Sequence, residues 1–396
     1  MRFKQIISLM LVLLFLPVCC AAGESASPAS TLFRYTFMPG TALEGEGLSV
    51  LYELMNAVTL DVTRQRGYSE NRYRVELISE GERAFSLDLA ENDQGRYAIL
   101  CSLLGDHLLT LNRDQLSSFL QTLVLALVDM KILREDAADQ LQSLAQRLAD
   151  MLGRYTSSFL TDGPDVGINL TPYLAILSRL STAAEETALS PDLEECPGAV
   201  LRRVYNLEED DLNLLVDTAL NKLEAIPVLK EELHSGRLHI GNQIVTDTFI
   251  RELFASMHGN TQMILYENAE QKILKISLDT PDVSDLIQDP DFRTVRGVEV
   301  TIQRLTDSDG HPFSITRLQL KGGMGSLLSV RLDQLPGEQL SSLTGNHVSD
   351  VGDMDAAQLR DLIYSMGLTI AVKGLDMILV LPRCVFDLIV SRFKIG

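Results

Sequence analysis

Residues 108–127 read LLTLNRDQLSSFLQTLVLAL, and the predicted architecture of the chain starts from this stretch. Up to Leu111 the apolar residues alternate, which is typical of a half-buried strand. From Leu116 onward they recur every three or four residues, which predicts one apolar stripe along a helix. Asp114 falls in the first turn of that helix, and Asn112 is in position to be its N-cap. The stretch therefore predicts a strand that leads directly into a helix.

The same pattern returns about a hundred residues later, and a weaker copy follows near the end of the chain. In that third copy Leu332 leads through Pro336 into a predicted helix at Gln339–Leu343. The acids at the start of each helix are interpreted as caps and not as catalytic residues, because helix starts favour acids. The residues of the first copy (Leu111, Asp114, Leu116, Phe119, Leu120, Leu123, Val124, Leu127) match, at identical spacing, those of the second (Leu207, Asp210, Leu212, Leu215, Val216, Ala219, Leu220, Leu223).

The N-terminal residues 1–22 have the composition of a secretory signal peptide. Basic residues precede a short apolar run, and small residues lead up to Ala22, where we expect cleavage. The run is too short for a stable transmembrane span. The alternative is a lipoprotein acylated on Cys19 or Cys20. Either form predicts an exported bacterial protein, secreted or associated with the cell envelope.

Composition narrows the function classes further. The formal net charge of −20 disfavours binding to nucleic acid or to anionic lipid head groups. With 46% hydrophobic and 22% charged residues the chain has ample material for globular cores. The three cysteines outside the signal segment, Cys101, Cys196 and Cys384, do not form a disulfide framework, although a bridge between the last two stays open.

Taken in order, the chain predicts an α+β fold with two duplicated modules. The tether at residues 23–30 precedes a first module at 31–133, which consists of a strand, a helix, a five-stranded antiparallel meander and a closing helix. A helical connector at 134–198 leads to a second module at 199–345, and a mostly helical tail at 346–396 covers an apolar face or groove. Charged residues interrupt the tail, so no membrane span is expected there. Alternation predicts strands at residues 31–38, 58–62, 73–77, 85–89, 97–101, 109–111, 199–207, 262–266, 272–278, 297–305, 312–320 and 327–332.

The candidate chemical motifs all have ordinary structural interpretations. His234 and His239 are spaced so that neither a helix nor a strand brings them onto one metal ion. Asp307–Gly310 resembles the start of a calcium loop but lacks its closing glutamate, so a hairpin turn is expected. The glycines at 322–325 lack the lysine of a phosphate-binding loop, which favours a bulge or wide turn. We therefore expect no metal, no cofactor and no catalytic residues.

The apolar strands support three hypotheses about function. Several are apolar on both faces, so they are either sandwiched between layers or line a cavity. The leading hypothesis is a non-enzymatic exported protein that holds a lipid-like ligand, or an apolar segment of a partner, against its sheets. The second is an envelope scaffold or surface interaction protein with a fully packed core, and the third and weakest is a hydrolase without a recognisable motif. The expected lining residues of the ligand groove are Phe85, Leu87, Ile99, Leu265, Ile276 and Val300.

Overall fold

The structure is a computed structural model that describes part of the chain. The described residues are 30–40, 49–67, 70–131, 142, 185–190, 195–208, 210–211, 213–214, 217, 234, 239–240, 243–244, 246–248, 261–280, 295–306, 312–322 and 325–383. The predicted signal peptide, nearly all of the tether, most of the helical connector, the loop at 307–310 and Cys384 lie outside them.

Strands account for about half of the described residues, and four α-helices are described beside them. The strands are β1 (Ser30–Pro39), β2 (Val58–Arg66), β3 (Glu70–Ser79), β4 (Glu82–Asn92), β5 (Arg96–Cys101), β6 (His107–Asn112), β7 (Glu185–Ala188), β8 (Leu201–Asn206), β9 (His239–Ile240), β10 (Gln243–Ile244), β11 (Gln262–Glu267), β12 (Ile273–Thr280), β13 (Val295–Thr306), β14 (Pro312–Gly322), β15 (Gly325–Pro336) and β16 (His347–Asp350). The helices are α1 (Ser49–Ala57), α2 (Leu116–Asp129), α3 (Ala356–Ser365) and α4 (Gly367–Val380).

The chain divides into two compact units that are interleaved in sequence. Unit 1 contains Phe33–Asn56 and Asp165–Leu335, and therefore most of β1, α1 and the strands from β7 to β15. Unit 2 contains Ala57–Pro164 and Pro336–Gly396, and therefore the strands β2 to β6, α2, β16 and the two C-terminal helices. Each unit is described by itself.

The sheet of unit 2 is a meander extended by one parallel strand, in the order β16-β6-β5-β4-β3-β2. The hairpin between β3 and β4 turns at Glu80 and Gly81, whose φ angles of 52° and 87° suit the tight turn that joins twisted antiparallel strands. The next hairpin turns at Asn92, whose side-chain oxygen accepts hydrogen bonds from two backbone amides of the turn. β16 pairs in parallel with β6, so the sheet is mixed.

The core of unit 2 lies where β5 and β6 meet the helices. Leu116 and Phe119 of α2 pack against Tyr97 and Leu111 of the sheet, together with Leu359 of α3. A 3-10 turn at Arg113–Gln115 connects β6 to α2, and the amide of Asn112 donates to the side chain of Gln115 at 2.9 Å. The strand-to-helix junction is therefore confirmed, whereas Asn112 caps the 3-10 turn and the N-cap residue of α2 itself is Gln115.

The sheet of unit 1 contains eight strands in the order β1-β15-β14-β13-β12-β11-β8-β7. The pairs between β8 and β15 for which a register is given are all antiparallel, and β14 bends at a register shift between Leu320 and Lys321, just before the predicted glycine turn. Because side chains alternate between the two faces, one face is apolar from β11 to β15 while the other carries charged and hydroxyl groups.

The predicted fold class is wrong. The described chain is dominated by strands in large mixed sheets with few helices, and it does not clearly consist of two helix-plus-meander modules. Individual strands lie where alternation places them, but alternation does not specify which strands pair. The segment at 134–198, predicted as a helical connector, contributes the strand β7, and the tail contributes both β16 and the helices α3 and α4.

The third copy of the strand-to-helix pattern also fails, since residues 337–345 contain no helix. The amide of Leu340 donates to the side chain of Gln65 at 2.5 Å, and its carbonyl accepts from Arg72 at 2.8 Å. The amide of Gly337 donates to the carbonyl of Ser30 at 2.9 Å. These backbone groups are bonded to strand residues, so they are not available for the hydrogen bonds of a helix.

Candidate functional site

Three of the six predicted lining residues lie together on the apolar face of unit 1. Leu265 of β11 pairs directly with Ile276 of β12, and Val300 of β13 pairs with Leu278 of β12. Positions 276 and 278 are two apart on one strand, so all of these side chains project from the same face. The structure therefore brings Leu265, Ile276 and Val300 into one continuous apolar row.

The side chains at the edges of this row are more deeply buried than those at its centre. The residues at its edges, on β11 and β15, are fully buried, as shown by Leu265 at 1% and Val330 at 7% exposure. The residues at its centre are only half-buried, although they lie in the middle of the sheet: Ile276, Leu278, Val300, Ile302 and Leu318. Such a surface retains apolar area that a bound molecule can cover. We call these five residues the central row.

The other three predicted residues lie in unit 2, on one face of its meander. Phe85 pairs with Leu77, Leu87 pairs with Cys101, and Leu89 pairs with Ile99, so Phe85, Leu87 and Ile99 share that face. Ile99 packs against the cluster of Tyr97, Leu111 and Phe119 beneath α2 and therefore belongs to the core. Helices cover this face, so we assign no ligand to it.

A polar cluster lies on the opposite face of unit 1 from the central row. The Tyr266 hydroxyl donates to Glu195 at 2.6 Å, and Lys275 both bonds Glu195 at 3.2 Å and lies 4.9 Å from the centre of the Tyr266 ring. Burial and the nearby Glu195 carboxylate raise the pKa of Tyr266 to about 12. The hydrogen bond from Tyr266 lowers the pKa of Glu195, while burial raises the pKa of the enclosed Cys196 thiol.

These protonation states indicate a structural role for the cluster. The phenol and the thiol both stay protonated at neutral pH, which removes the thiolate that nucleophilic chemistry requires. A backbone hydrogen bond adds to these side-chain contacts: the amide of Val200 donates to the carbonyl of Glu267 at 2.8 Å. The cluster fastens the segment before β8 to the sheet.

A second polar cluster lies in unit 2 beside a shallow surface cleft. Glu91 is completely buried and forms an ion pair with Arg113, whose side chain is 31% exposed. Burial raises the pKa of Glu91 above its ordinary value, although Arg113 and Tyr97 act in the opposite direction. The lining of the cleft is polar and consists of Asp93, Gln94, Gly95, Asn112, Arg113 and Asp114. Within the described residues no group of three His, Cys, Asp or Glu side chains is placed to hold a metal ion.

Sequence reasoning missed the most exposed apolar surface of the described chain, which lies on α4. Leu368 and Leu379 are each 80% exposed, Leu375 is 60% exposed and Val372 is 48% exposed. Exposed apolar residues that recur along one helix face mark contact sites, whereas single ones do not. These residues are spaced by four, three and four positions, which predicts one apolar stripe along a helix. The same spacing also suits a helix that packs on a sheet, so it does not predict exposure.

Within the described ranges no single helix is long and apolar enough to cross a membrane, and α3 with α4 reaches that length and composition only as a pair bent by 65°. Comparison with protein family models, with curated proteins and with solved structures gives no match for this chain.

Proposed function

We propose that this protein is an exported, non-enzymatic binding protein that holds a lipid-like molecule, or an apolar segment of a partner, on the apolar face of unit 1. The observation that supports this proposal is the central row, in which paired apolar residues stay half-buried in the middle of a sheet whose flanking residues are covered. Ile, Val and Leu are among the residues most often fully buried, so their partial burial in the middle of a sheet leaves apolar area that a ligand can cover.

The binding mechanism is the removal of apolar surface from water. A ligand that covers roughly 300 Å² of apolar surface gains about 7 kcal/mol at about 25 cal/mol per Å², before the cost of ordering it. Ordering and lost translation cost several kcal/mol, so we expect moderate affinity and broad tolerance of chain length. No charged side chain is needed, since the paired residues of the central row carry none.

Organic extraction of the purified protein followed by mass spectrometry tests the proposal. We expect a co-purifying lipid-like molecule, and we expect Ile276→Gln to remove it. The matched control is Ile315→Gln, because Ile315 is also half-buried in the unit 1 sheet but pairs with Gln303 on the opposite face. An extract without any ligand, or equal loss of ligand in both variants, would contradict the proposal.

A second function, that of an envelope scaffold or surface interaction protein, is supported by a different observation. The exposed stripe of α4 offers apolar side chains to a macromolecular partner and does not depend on any ligand. Replacing Leu375 with Glu should then abolish a protein contact while leaving the lipid content of the extract unchanged.

A further inference from the structure

The exposed stripe of α4 has the residue spacing of a helix-pairing seam. Leu368, Val372, Leu375 and Leu379 are separated by four, three and four residues, which is the spacing of the d, a, d and a positions of heptads. Their side chains are 48% to 80% exposed. We call these four residues the seam.

The opposite side of α4 holds the helix on unit 2, so the seam belongs to an anchored element. Met366, which caps the start of the helix, is 2% exposed. A Cβ added at Gly105 would lie 3.0 Å from the methyl group of Thr369, which shows how closely the helix approaches the turn after β5. The seam is therefore presented outward on a helix whose other face is half-buried against unit 2.

From this geometry we propose that the partner of the seam is a second copy of this chain, with the two α4 helices packed antiparallel about a two-fold axis. Spacings of four, three and four read the same in both directions, so the seam is complementary to itself in an antiparallel pair. Leu368 then meets Leu379 of the second copy, and Val372 meets its Leu375. No other segment has to be supplied.

The charges next to the seam fit the same arrangement. Lys373 and Asp376 are 50% and 61% exposed and lie 3.7 Å apart on one helix. An antiparallel partner brings its own Lys373–Asp376 ion pair beside this one, so each copy adds one positive and one negative charge at the contact. The contact surface is thus neutral in a chain whose formal net charge is −20, which disfavours an anionic membrane surface as the occupant.

Sedimentation of the purified full protein across a range of concentrations tests the proposal. A single helix pair is well below the roughly 1,600 Å² of a standard interface, so we expect a weak, concentration-dependent dimer. Leu375→Glu should raise its dissociation constant at least about 100-fold, because each dimer buries this residue twice. Ala357→Glu is the matched control, since it adds the same charge at an exposed position in the first turn of α3. Circular dichroism checks that both variants keep their helices.

Cysteine cross-linking tests the direction of the pair. In the antiparallel arrangement Leu375 and its copy lie about 5 Å apart along the axis, whereas Leu368 and its copy lie about 16 Å apart. Leu375→Cys should therefore form a disulfide between copies and Leu368→Cys should not, with the bond located by mass spectrometry. Cross-linking of both variants would overturn the antiparallel arrangement.

Two results of the sedimentation experiment would overturn the dimer itself: a monomer at every concentration, and a dimer that Leu375→Glu leaves intact. A protein that binds neutral phosphatidylcholine vesicles as a monomer, and loses that binding in Leu375→Glu, would also overturn it. The proposal does not rest on ligand binding in unit 1, because Ile276→Gln should leave the dimer unchanged.

Discussion

The buried pair of Glu91 and Arg113 gives the prediction that depends most directly on the structure. Substituting Arg113 with Met removes the cation that faces a fully buried carboxylate and leaves Tyr97 as its remaining neighbour in the cluster. Breaking a buried ion pair from one side typically costs about 3 to 5 kcal/mol. Arg113 is 31% exposed, so water partly replaces it, and we expect a cost of about 2 to 3 kcal/mol at neutral pH.

The cost should depend on pH in a defined direction. Burial already raises the pKa of Glu91, so the folded state holds this proton more tightly than the unfolded state does. The free energy of unfolding then falls as the pH rises from the unfolded pKa to the folded pKa. Without Arg113 the folded pKa rises further, so this window extends upward. The cost of Arg113→Met should be small at pH values below the folded pKa of Glu91 and should grow as the pH rises above it.

Hydrogen exchange of the peptides that cover β4 and β6 measures this cost locally, which matters because the two units need not unfold together. Arg96→Met is the matched control: Arg96 pairs with Asp350 at the surface, where both side chains are at least half exposed, and should cost under about 1 kcal/mol. Adding Glu91→Gln to Arg113→Met should remove the pH dependence. Equal costs for Arg113→Met and Arg96→Met, or a cost that does not change with pH, would refute the reasoning.

Three further predictions concern other described elements. Gly105→Ala should destabilise the attachment of α4 by about 1 to 3 kcal/mol, because Gly105 has a φ of 65° and the added Cβ meets Thr369. Hydrogen exchange of α4 measures this cost, and an unchanged exchange rate would contradict the prediction. Tyr266→Phe should raise the pKa of Glu195 toward its ordinary value and lower the free energy of unfolding by about 1 kcal/mol. It should also speed thiol labelling of Cys196, and labelling as slow as in the unchanged protein would contradict the prediction. After expression in a bacterial host, the intact mass of the protein should match cleavage after Ala22, and a lipid-modified Cys19 or Cys20 would contradict this prediction.

Strand positions were predictable because they depend on local alternation. The predicted strands at 262–266 and 312–320 correspond to Gln262–Glu267 and Pro312–Gly322, and the helix predicted from Leu116 begins at that residue. The segment at 339–343 failed for the opposite reason. Its helical spacing is overridden by side chains of Gln65 and Arg72, which are about 270 residues distant in sequence and bond the backbone of Leu340.

The candidate lining residues were predictable only as apolar strand positions. Leu265, Ile276 and Val300 share a face because the register of β11, β12 and β13 aligns them, and no local pattern specifies that register. The same kind of pattern predicted Ile99 as a lining residue, but the structure places it in the core beneath α2. Sequence therefore identified apolar strands, while the neighbouring layer determined which of them retain accessible surface.

The central row and the seam differ in how much of each side chain is left to cover, and this difference is why we propose different occupants for them. A half-buried residue such as Ile276 has little remaining area, so a small molecule that fits along several such residues gains the most. Leu368 and Leu379, at 80% exposure, have most of their area available, which suits another helix that brings large side chains of its own. The central row lies in unit 1 and the seam in unit 2. Because the two surfaces share no residue, we expect the effects of Ile276→Gln and Leu375→Glu to be additive. The double variant should lose the ligand as Ile276→Gln does and lose the dimer as Leu375→Glu does. That result would show that ligand binding and self-association are separate properties.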